Sequence, residues 1–151
     1  MSFFPRTLSL PQAPPRGGGV CLSTCSLDDD TDVSLDIAGD VLSFAETARA
    51  ARFRFERDRA RYVRGRAFLR RALGAATGQD PAKLVLTEIG KGKPFLDDTV
   101  HFNLSHSAGL AVLAMSESGP VGIDLEFIDR RIDILGLVRS CFNEAEARNI
   151  L

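Results

Sequence analysis

Two acidic side chains in the last third of the chain are spaced so that both could bind one metal ion. In the segment Val121–Glu126 apolar residues alternate with Gly122, Asp124 and Glu126, which predicts a strand with its apolar side chains on a core. Carboxylates two strand residues apart, about 6.5–7 Å, can reach the same hard cation. An isolated pair of this kind often serves only solubility. Because paired acids on a central strand are costly without a cation, we favour a magnesium site.

A second polar group lies at His101–Ser107, where polar residues alternate with apolar ones as in a half-buried strand. Ser105, His106 and Ser107 place hydrogen-bond donors at the predicted strand end, where an anion could bind. A single histidine at such a position is more often structural. A serine nucleophile is disfavoured, because a serine and a histidine adjacent in sequence lack the geometry of a hydrolase and no G-x-S-x-G motif is present.

Basic residues supply a third candidate. Lys93, followed by Pro94 in a predicted turn, is a point charge suited to phosphate, although the spacing is not that of a P-loop. Between Glu46 and Arg71 there are ten arginines and three acids. We expect most of these arginines to form a solvated face and one or two to meet an anionic ligand, since the guanidinium fork matches phosphate geometry.

The composition sets limits on what these residues can belong to. The chain has 151 residues, 44% of them hydrophobic, a net charge of −1 and a pI near 6.1. One domain is the expectation, and the balanced charge argues against a nucleic-acid-coating or polybasic membrane protein. No apolar run approaches the roughly 18 residues of a membrane span. Three cysteines in no metal or redox spacing are expected to be reduced thiols in a cytoplasmic protein.

The first half of the chain is predicted to be strand followed by helices. Residues 1–19, rich in proline and glycine, are expected to form a disordered leader, and Val20–Leu27 to form a strand. Ser43 and Glu46 fit a capping box for a helix to about Phe55. Asp58 is the expected cap of a second, longer helix that ends near Gly74 or Gly78. Its predicted buried stripe consists of Ala60, Val63, Ala67, Phe68, Ala72 and Leu73.

The second half is predicted to be mainly strands. Leu84–Glu88 and Leu110–Met115 are expected to form strands, in addition to the two polar strands above. Asn143 and Glu146 form a weaker capping box for a last helix. No stop signal follows before Leu151, so we expect the sequence to end within this helix.

Four motifs together resemble the Sfp-type 4′-phosphopantetheinyl transferases. They occur in the order and approximate spacing of that family and are Gly92–Pro94, Phe102–Ser107, Val121–Glu126 and Phe142–Glu146. Arg52-Phe53, Asp58–Tyr62, Gly65 and Leu69-Arg70 also resemble the family's helical region. The similarity runs from about Val20 to Leu151.

The resemblance implies a fold and a domain division. The fold class would be α+β, a half-domain of the 4′-phosphopantetheinyl transferase type plus the start of a second, similar half. Residues 20–104 would form the N-terminal subdomain, and 105–151 the incomplete beginning of a magnesium-binding C-terminal subdomain. A Lys-Glu motif of the family, whose glutamate is the favoured catalytic base, would lie beyond Leu151, so we expect this chain alone to be inactive.

The resemblance also implies a reaction and a set of site residues. The family transfers the phosphopantetheine arm of coenzyme A to a serine of an apo acyl or peptidyl carrier protein, with Mg²⁺. Asp124 and Glu126 would bind the metal, and Asp124 also the pyrophosphate. The coenzyme A site would be lined by Lys93 and Pro94, with its 3′-phosphate and adenine end contacted by Ser105, His106, Arg61 and Arg49.

Two other interpretations remain open at this stage. The arginine-rich helix could grip RNA or another polyanion, although a chain with one tyrosine and no tryptophan lacks aromatic platforms for single strands. Alternatively, the chain could be a non-catalytic truncated product that associates with another chain through an exposed apolar surface.

Overall fold

The computed structural model of the chain describes residues 19–89, 93–96, 100–128, 131 and 133–150. Nearly all of the expected leader therefore lies outside the described residues. The architecture is α+β, as predicted, with a three-stranded antiparallel sheet, a separate two-stranded hairpin and helices. The strands are β1 (Cys21–Ser26), β2 (Thr87–Ile89), β3 (Lys93–Phe95), β4 (His101–Ser107) and β5 (Leu110–Ser116). The helices are α1 (Leu35–Ala38), α2 (Phe44–Ala50), α3 (Glu56–Thr77), α4 (Ile134–Cys141) and α5 (Glu144–Ile150).

The main sheet has the strand order β1-β5-β4 and one face that forms the core. Leu113 of β5 lies opposite Leu104 of β4 and Ser23 of β1. Because side chains alternate along a strand, the even-numbered residues of β4 share one face with Leu113. Phe102 and Leu113 on that face are buried with residues of α3. The predicted alternation in β4 is therefore confirmed. The predicted boundary between the two subdomains, residues 20–104 and 105–151, falls within β4, and it stays a prediction.

The turn between β4 and β5 consists of Ala108 and Gly109, both with positive φ (46° and 83°). Positive φ at both central residues is typical of the primed turns that match the twist of a hairpin. A side chain at position 109 would also collide with the carboxylate of Asp28. The hairpin thus brings the end of β1 and its following acidic loop against the turn, where the amide of Leu27 donates to the carbonyl of Gly109 at 2.7 Å.

The capping box at the start of α2 is confirmed. Ser43 Oγ accepts from the Glu46 amide at 3.3 Å, and Glu46 Oε2 accepts from the Ser43 amide at 2.8 Å. This helix ends at Ala50, earlier than predicted, and α3 begins at Glu56 with Phe55 at its N-cap. Asp58 is therefore in the first turn and is not the cap, although its negative charge still favours that end of the helix dipole.

The long helix α3 ends at Gly78, which has a φ of 72° and forms the left-handed cap that glycine favours. Its buried stripe is largely as predicted, except that Ala60 is only half-buried. The expectation of a solvated arginine face is wrong for Arg64 and Arg70, which are among the buried residues. Their guanidinium groups are tolerated inside because each donates three hydrogen bonds to acceptors of the protein.

The two buried arginines tie α3 to three other parts of the chain. Arg64 donates to the carbonyls of Val33 (3.2 Å) and Leu27 (2.9 Å) and to Asp30 (2.7 Å), so it fixes the loop after β1. Arg70 donates to Glu46 (2.6 Å) and to the carbonyls of Pro81 (2.9 Å) and Leu84 (3.1 Å). One helix thereby holds the acidic loop, the start of α2 and the segment before β2.

The remaining elements partly match the sequence expectations. The strand predicted at Leu84–Glu88 begins later, as β2, and Pro94 lies in β3 and not in a turn. The predicted cap of the last helix is confirmed, because Asn143 Oδ1 accepts from the Glu146 amide and Glu146 Oε2 from the Asn143 amide, both at 3.0 Å. Among the described residues, no helix is both long enough and apolar enough to cross a membrane.

Candidate functional site

A cavity of about 520 Å³ lies where α3, the corner between α2 and α3, and the β4–β5 turn meet. Its lining includes Arg49, Arg61, Pro94 and His106, four of the residues predicted from the sequence to bind coenzyme A. These positions lie far apart in the chain. Arg49 is at the end of α2 and Arg61 in α3, whereas Pro94 is in β3 and His106 at the end of β4. Tertiary packing alone brings them to one concave surface.

Three arginines line this cavity, and each is engaged in a different way. The Arg49 guanidinium stacks 5.5 Å from the ring centroid of Tyr62, a cation–π contact. Arg66 is paired with buried Glu46, to which its Nε donates at 2.6 Å. Arg61 lines the cavity with a side chain that is 28% exposed and is paired with Asp28.

The Arg61 guanidinium is held by Asp28 through two hydrogen bonds. Nε donates to Oδ1 at 2.6 Å and Nη2 to Oδ2 at 2.8 Å, the fork geometry that a phosphate would also use. The hydrogen bond from Arg61 holds the pKa of Asp28 below its usual value and, reciprocally, raises the pKa of Arg61. Asp28 is fixed in turn by its position against Gly109. An anionic ligand at this cavity therefore meets an arginine whose orientation is already set.

One wall of the cavity is aromatic. The rings of Phe53 and Tyr62 lie with their centroids 5.2 Å apart and tilted by 36°, and both residues line the cavity. Leu27 and Leu104 add aliphatic surface. A cavity with an aromatic wall and cations at its rim is suited to a ligand that has both a flat apolar part and a phosphate.

The segment Val121–Glu126 is not a strand, contrary to the prediction from its alternating sequence. Its apolar residues are half-buried and its polar residues exposed, so the two-residue alternation is present. Instead of a backbone ladder, the segment is bonded to side chains of β4. The amides of Ile123 and Leu125 donate to Asn103 Oδ1 (2.8 Å) and Ser105 Oγ (3.1 Å).

Asp124 and Glu126 are both exposed, and because they are two residues apart in an extended segment, they lie on the same side of it. Asp124 Oδ1 accepts from Ser105 Oγ and from the Leu125 amide, each at 2.9 Å. Within the described part of the chain, Asp124 Oδ2 and the Glu126 carboxylate have no hydrogen-bond partner. Hard, accessible oxygens of this kind fit Mg²⁺, which commonly takes one or two carboxylates and completes its shell with water and substrate phosphates.

A metal centre made only of protein side chains needs more ligands than Asp124 and Glu126. No group of three or more histidine, cysteine, aspartate and glutamate side chains comes together among the residues that the structure describes. Two carboxylates are a usual protein contribution to a Mg²⁺ ion that also binds phosphate, whereas a closed structural site takes more protein ligands.

Ser105 and His106, predicted to act together on one phosphate, are directed to opposite faces of β4. His106 shares the face of Phe102 and Leu104 and lines the cavity, whereas Ser105 is on the other face and bonds to Asp124. Consecutive strand residues must diverge in this way. The role of Ser105 at a phosphate stays a prediction, and so does that of Lys93, whose side chain lies outside the described residues.

Sequence reasoning missed the acidic partner of the cavity. Asp28 was not among the predicted site residues, yet it holds Arg61. The available signal was a run of three aspartates preceding a helix with many arginines, because opposite charges in such excess usually pair. Pairing of this kind also lowers the net positive charge that the helix presents. Arg59 bonds to Glu56 and Arg64 to Asp30, so the helix offers less free positive charge to a polyanion than its sequence indicates.

Comparison with known proteins identifies the same family that the sequence motifs resemble. Residues 29–118 match a family model described as 4′-phosphopantetheinyl transferase, N-terminal. The chain is 37% identical over 121 residues to the 4′-phosphopantetheinyl transferase HetI of Nostoc sp., covering 77% of this chain and 51% of that protein. It is 34% identical over 112 residues to the 4′-phosphopantetheinyl transferase psf-1 of Bacillus pumilus, covering 73% of this chain and 47% of that protein.

A more distant relative comes from an animal. The chain is 32% identical over 87 residues to the L-aminoadipate-semialdehyde dehydrogenase-phosphopantetheinyl transferase of Xenopus laevis, covering 53% of this chain and 29% of that protein. The chain thus spans about half the length, or less, of the curated relatives it matches.

Proposed function

Because this chain belongs to the 4′-phosphopantetheinyl transferase family, we propose that it carries the coenzyme A-binding part of an enzyme that modifies carrier proteins. The reaction would transfer 4′-phosphopantetheine from coenzyme A to a serine hydroxyl of an apo acyl or peptidyl carrier protein and release 3′,5′-ADP. The observation that supports this most directly is the single cavity lined by Arg49, Arg61, Pro94 and His106. Two aromatic rings and several cations at one concave surface suit a phosphorylated nucleotide.

The proposed binding mode follows from the chemistry of the lining. The adenine end of coenzyme A lies against the wall formed by Phe53 and Tyr62, where a flat ring gains contact area. Its 3′-phosphate is bound by Arg61 and His106, with Arg49 as a further source of positive charge. The Arg61 guanidinium is already oriented by Asp28, so little conformational freedom is lost when the phosphate binds.

Asp124 and Glu126 are proposed to hold a magnesium ion next to the pyrophosphate. When bound there, the ion would neutralise charge that develops on the leaving 3′,5′-ADP. The two side chains contribute exposed oxygens on one side of their segment. No residue of this chain is assigned as the catalytic base.

Coenzyme A binding is the sharpest test, and it can be made on this chain. Isothermal titration of the 151-residue chain with coenzyme A and with 3′-dephospho-coenzyme A measures how much the 3′-phosphate contributes. We expect the dephospho form to bind at least about tenfold more weakly, the usual scale of a charge-assisted contact. Arg61→Ala should weaken coenzyme A binding and abolish most of this discrimination.

Arg59→Ala is the matched control. Arg59 is on the same helix, carries the same charge and is paired with Glu56, but it does not line the cavity. It should leave both affinities nearly unchanged. Equal binding of the two ligands to the unaltered chain, or equal losses in the two variants, would contradict the proposed site. Transfer itself is measured by the mass of an apo carrier protein incubated with the chain, coenzyme A and Mg²⁺.

A further inference from the structure

Three side chains of β4 bind the backbone of the segment that bears the acidic residues. Ile123, Leu125 and Phe127 each donate their backbone amide to a side-chain oxygen of β4. The acceptors are Asn103 Oδ1 (2.8 Å), Ser105 Oγ (3.1 Å) and Ser107 Oγ (3.1 Å). We call Asn103, Ser105 and Ser107 the β4 acceptor row. Each bond joins residues 20 apart in the chain, so the segment runs parallel to β4 in a fixed register.

The spacing of these bonds determines which way the acidic side chains point. The acceptor row repeats every second residue, because side chains at that period share one face of a strand. It therefore takes every second amide of the segment, and the residues between the bonded amides are Asp124 and Glu126. The bonded residues Ile123 and Leu125 are half-buried and the two acidic residues are exposed. A shift by one residue would reverse this arrangement.

The hydrogen bonds are also the main polar contacts that hold this register. The segment has no ladder of backbone bonds to β4, and residues 121–128 lie in neither a helix nor a strand. Ser105 does more than accept, since its hydroxyl donates to Asp124 Oδ1 at 2.9 Å and sets the orientation of that carboxylate. A single hydrogen bond makes only a modest net contribution to stability, so the loss of one weakens the docking without unfolding the sheet.

We infer that Asn103 and Ser107 are positioning residues, which together with Ser105 hold Asp124 and Glu126 on one side for the divalent cation. This inference rests on the proposed function and adds to it two residues that contact neither ligand. Their effect is transmitted through the backbone of the segment. It should therefore appear in the dependence of coenzyme A binding on Mg²⁺ and not in binding without the metal.

Ser107→Ala is the test variant, because Ser107 is separated from Asp124 and, among the described residues, its hydroxyl bonds only to the Phe127 amide. Ser107→Thr keeps the hydroxyl and serves as the rescue variant. Ser140→Ala, which removes an exposed hydroxyl of α4 that donates to the Leu137 carbonyl, is the matched control. Circular dichroism first establishes that all three variants are folded.

Two measurements are made on the 151-residue chain. Amide hydrogen exchange followed by NMR reports the docking itself, and Ser107→Ala should speed the exchange of Phe127 about fivefold to tenfold. Titration with coenzyme A in Mg²⁺ and in EDTA reports the metal-dependent gain in affinity. That gain should fall at least threefold in Ser107→Ala, with the affinity in EDTA unchanged, and should return in Ser107→Thr.

The possible failures are distinguishable. Unchanged exchange at Phe127 would show that the acceptor row does not hold the segment. If the Phe127 amide exchanges faster but Mg²⁺ still raises the affinity for coenzyme A by the same factor, the β4 acceptor row has only a structural role. The proposed function would then be unaffected. If the unaltered chain gains no affinity from Mg²⁺, the metal part of the proposed function fails and the positioning role fails with it, whereas the exchange data still report the docking.

Discussion

Asp28 holds the guanidinium of Arg61 at the edge of the cavity by two hydrogen bonds, Nε to Oδ1 at 2.6 Å and Nη2 to Oδ2 at 2.8 Å. The Asp28 carboxylate thus accepts the two Arg61 hydrogen bonds that a ligand phosphate would otherwise accept. The Asp28 side chain is 47% exposed, so water weakens this ion pair and an incoming phosphate can compete for Arg61. The pair orients the arginine and also limits the affinity of the cavity for anions.

Neutralising Asp28 should therefore strengthen coenzyme A binding. Asp28→Asn keeps the shape that packs against Gly109 but removes the competing charge. We expect the affinity for coenzyme A to rise about twofold to fivefold, as an exposed ion pair contributes ~0.2–1 kcal/mol. Asp29→Asn removes the same charge one residue away, where the carboxylate accepts from the Thr31 amide, and should have less effect. A weaker affinity in Asp28→Asn, measured by titration calorimetry, would mean that orientation outweighs competition.

The buried cluster of Glu46, Arg66 and Arg70 should dominate the response of stability to mutation. Glu46→Gln leaves two arginines, with side chains 16% and 2% exposed, without their anion. Removal of one partner of a buried ion pair costs about 3–5 kcal/mol, so urea denaturation should show a loss of that order. Glu56→Gln removes a carboxylate from an exposed pair with Arg59 and is the control. A similar change in both variants would contradict the importance of burial.

Glu46 also predicts how stability depends on pH. Burial by itself raises the pKa of Glu46, but the hydrogen bond from the Ser43 amide, the charge of Arg66 and the hydrogen bonds from Arg70 and Arg66 outweigh it, and the pKa lies below its usual value. A carboxyl whose pKa is lower in the folded state contributes stability that is complete above its unfolded pKa, about 4.3. That contribution is lost as the pH falls through the lower, folded value. The difference in unfolding free energy between the wild-type chain and Glu46→Gln should therefore shrink below about pH 4.

The cysteines should differ strongly in reactivity. Cys25 is fully buried in the core, and burial raises its pKa to about 12. Cys141 is exposed at the end of α4. Because the thiolate is the reactive form, iodoacetamide at pH 8 should label Cys141 readily and Cys25 only after unfolding. Mass spectrometry of peptides from native and urea-treated protein measures this, and rapid native labelling of Cys25 would contradict the packing of β1.

Local sequence features were sufficient to predict two capping boxes, the glycine that ends α3 and the alternation of β4, although the cap predicted at Asp58 was wrong. The boxes at Ser43–Glu46 and Asn143–Glu146 involve residues three apart, and the left-handed cap at the end of α3 depends on the single residue Gly78. Such features depend on backbone geometry within one turn, so the sequence contains all of the required information. The motifs that resemble the transferase family were visible for a similar reason, since each is a short contiguous run.

The roles of individual arginines were decided only by the tertiary structure. Arg64 and Arg70 are alike in sequence context to their exposed neighbours, but the acceptors that pay for their burial, such as Asp30 and Glu46, come from distant segments. The same is true of Arg61 and Asp28, which are 33 residues apart. Whether a charge is solvated or buried depends on which groups meet it after folding, and a helical period does not contain that information.

In the segment 121–126, the sequence determined which side chains are exposed, whereas the tertiary structure determined the hydrogen-bond partners of the backbone. Its alternating sequence by itself determined which side chains are exposed, because an extended backbone turns each residue to the opposite side. Whether that backbone becomes a strand depends on a partner edge, which no property of the segment supplies. The fold offers it the side chains of Asn103, Ser105 and Ser107 instead of backbone groups. Periodicity is a local property of the chain, whereas hydrogen-bond partners are a property of the folded molecule.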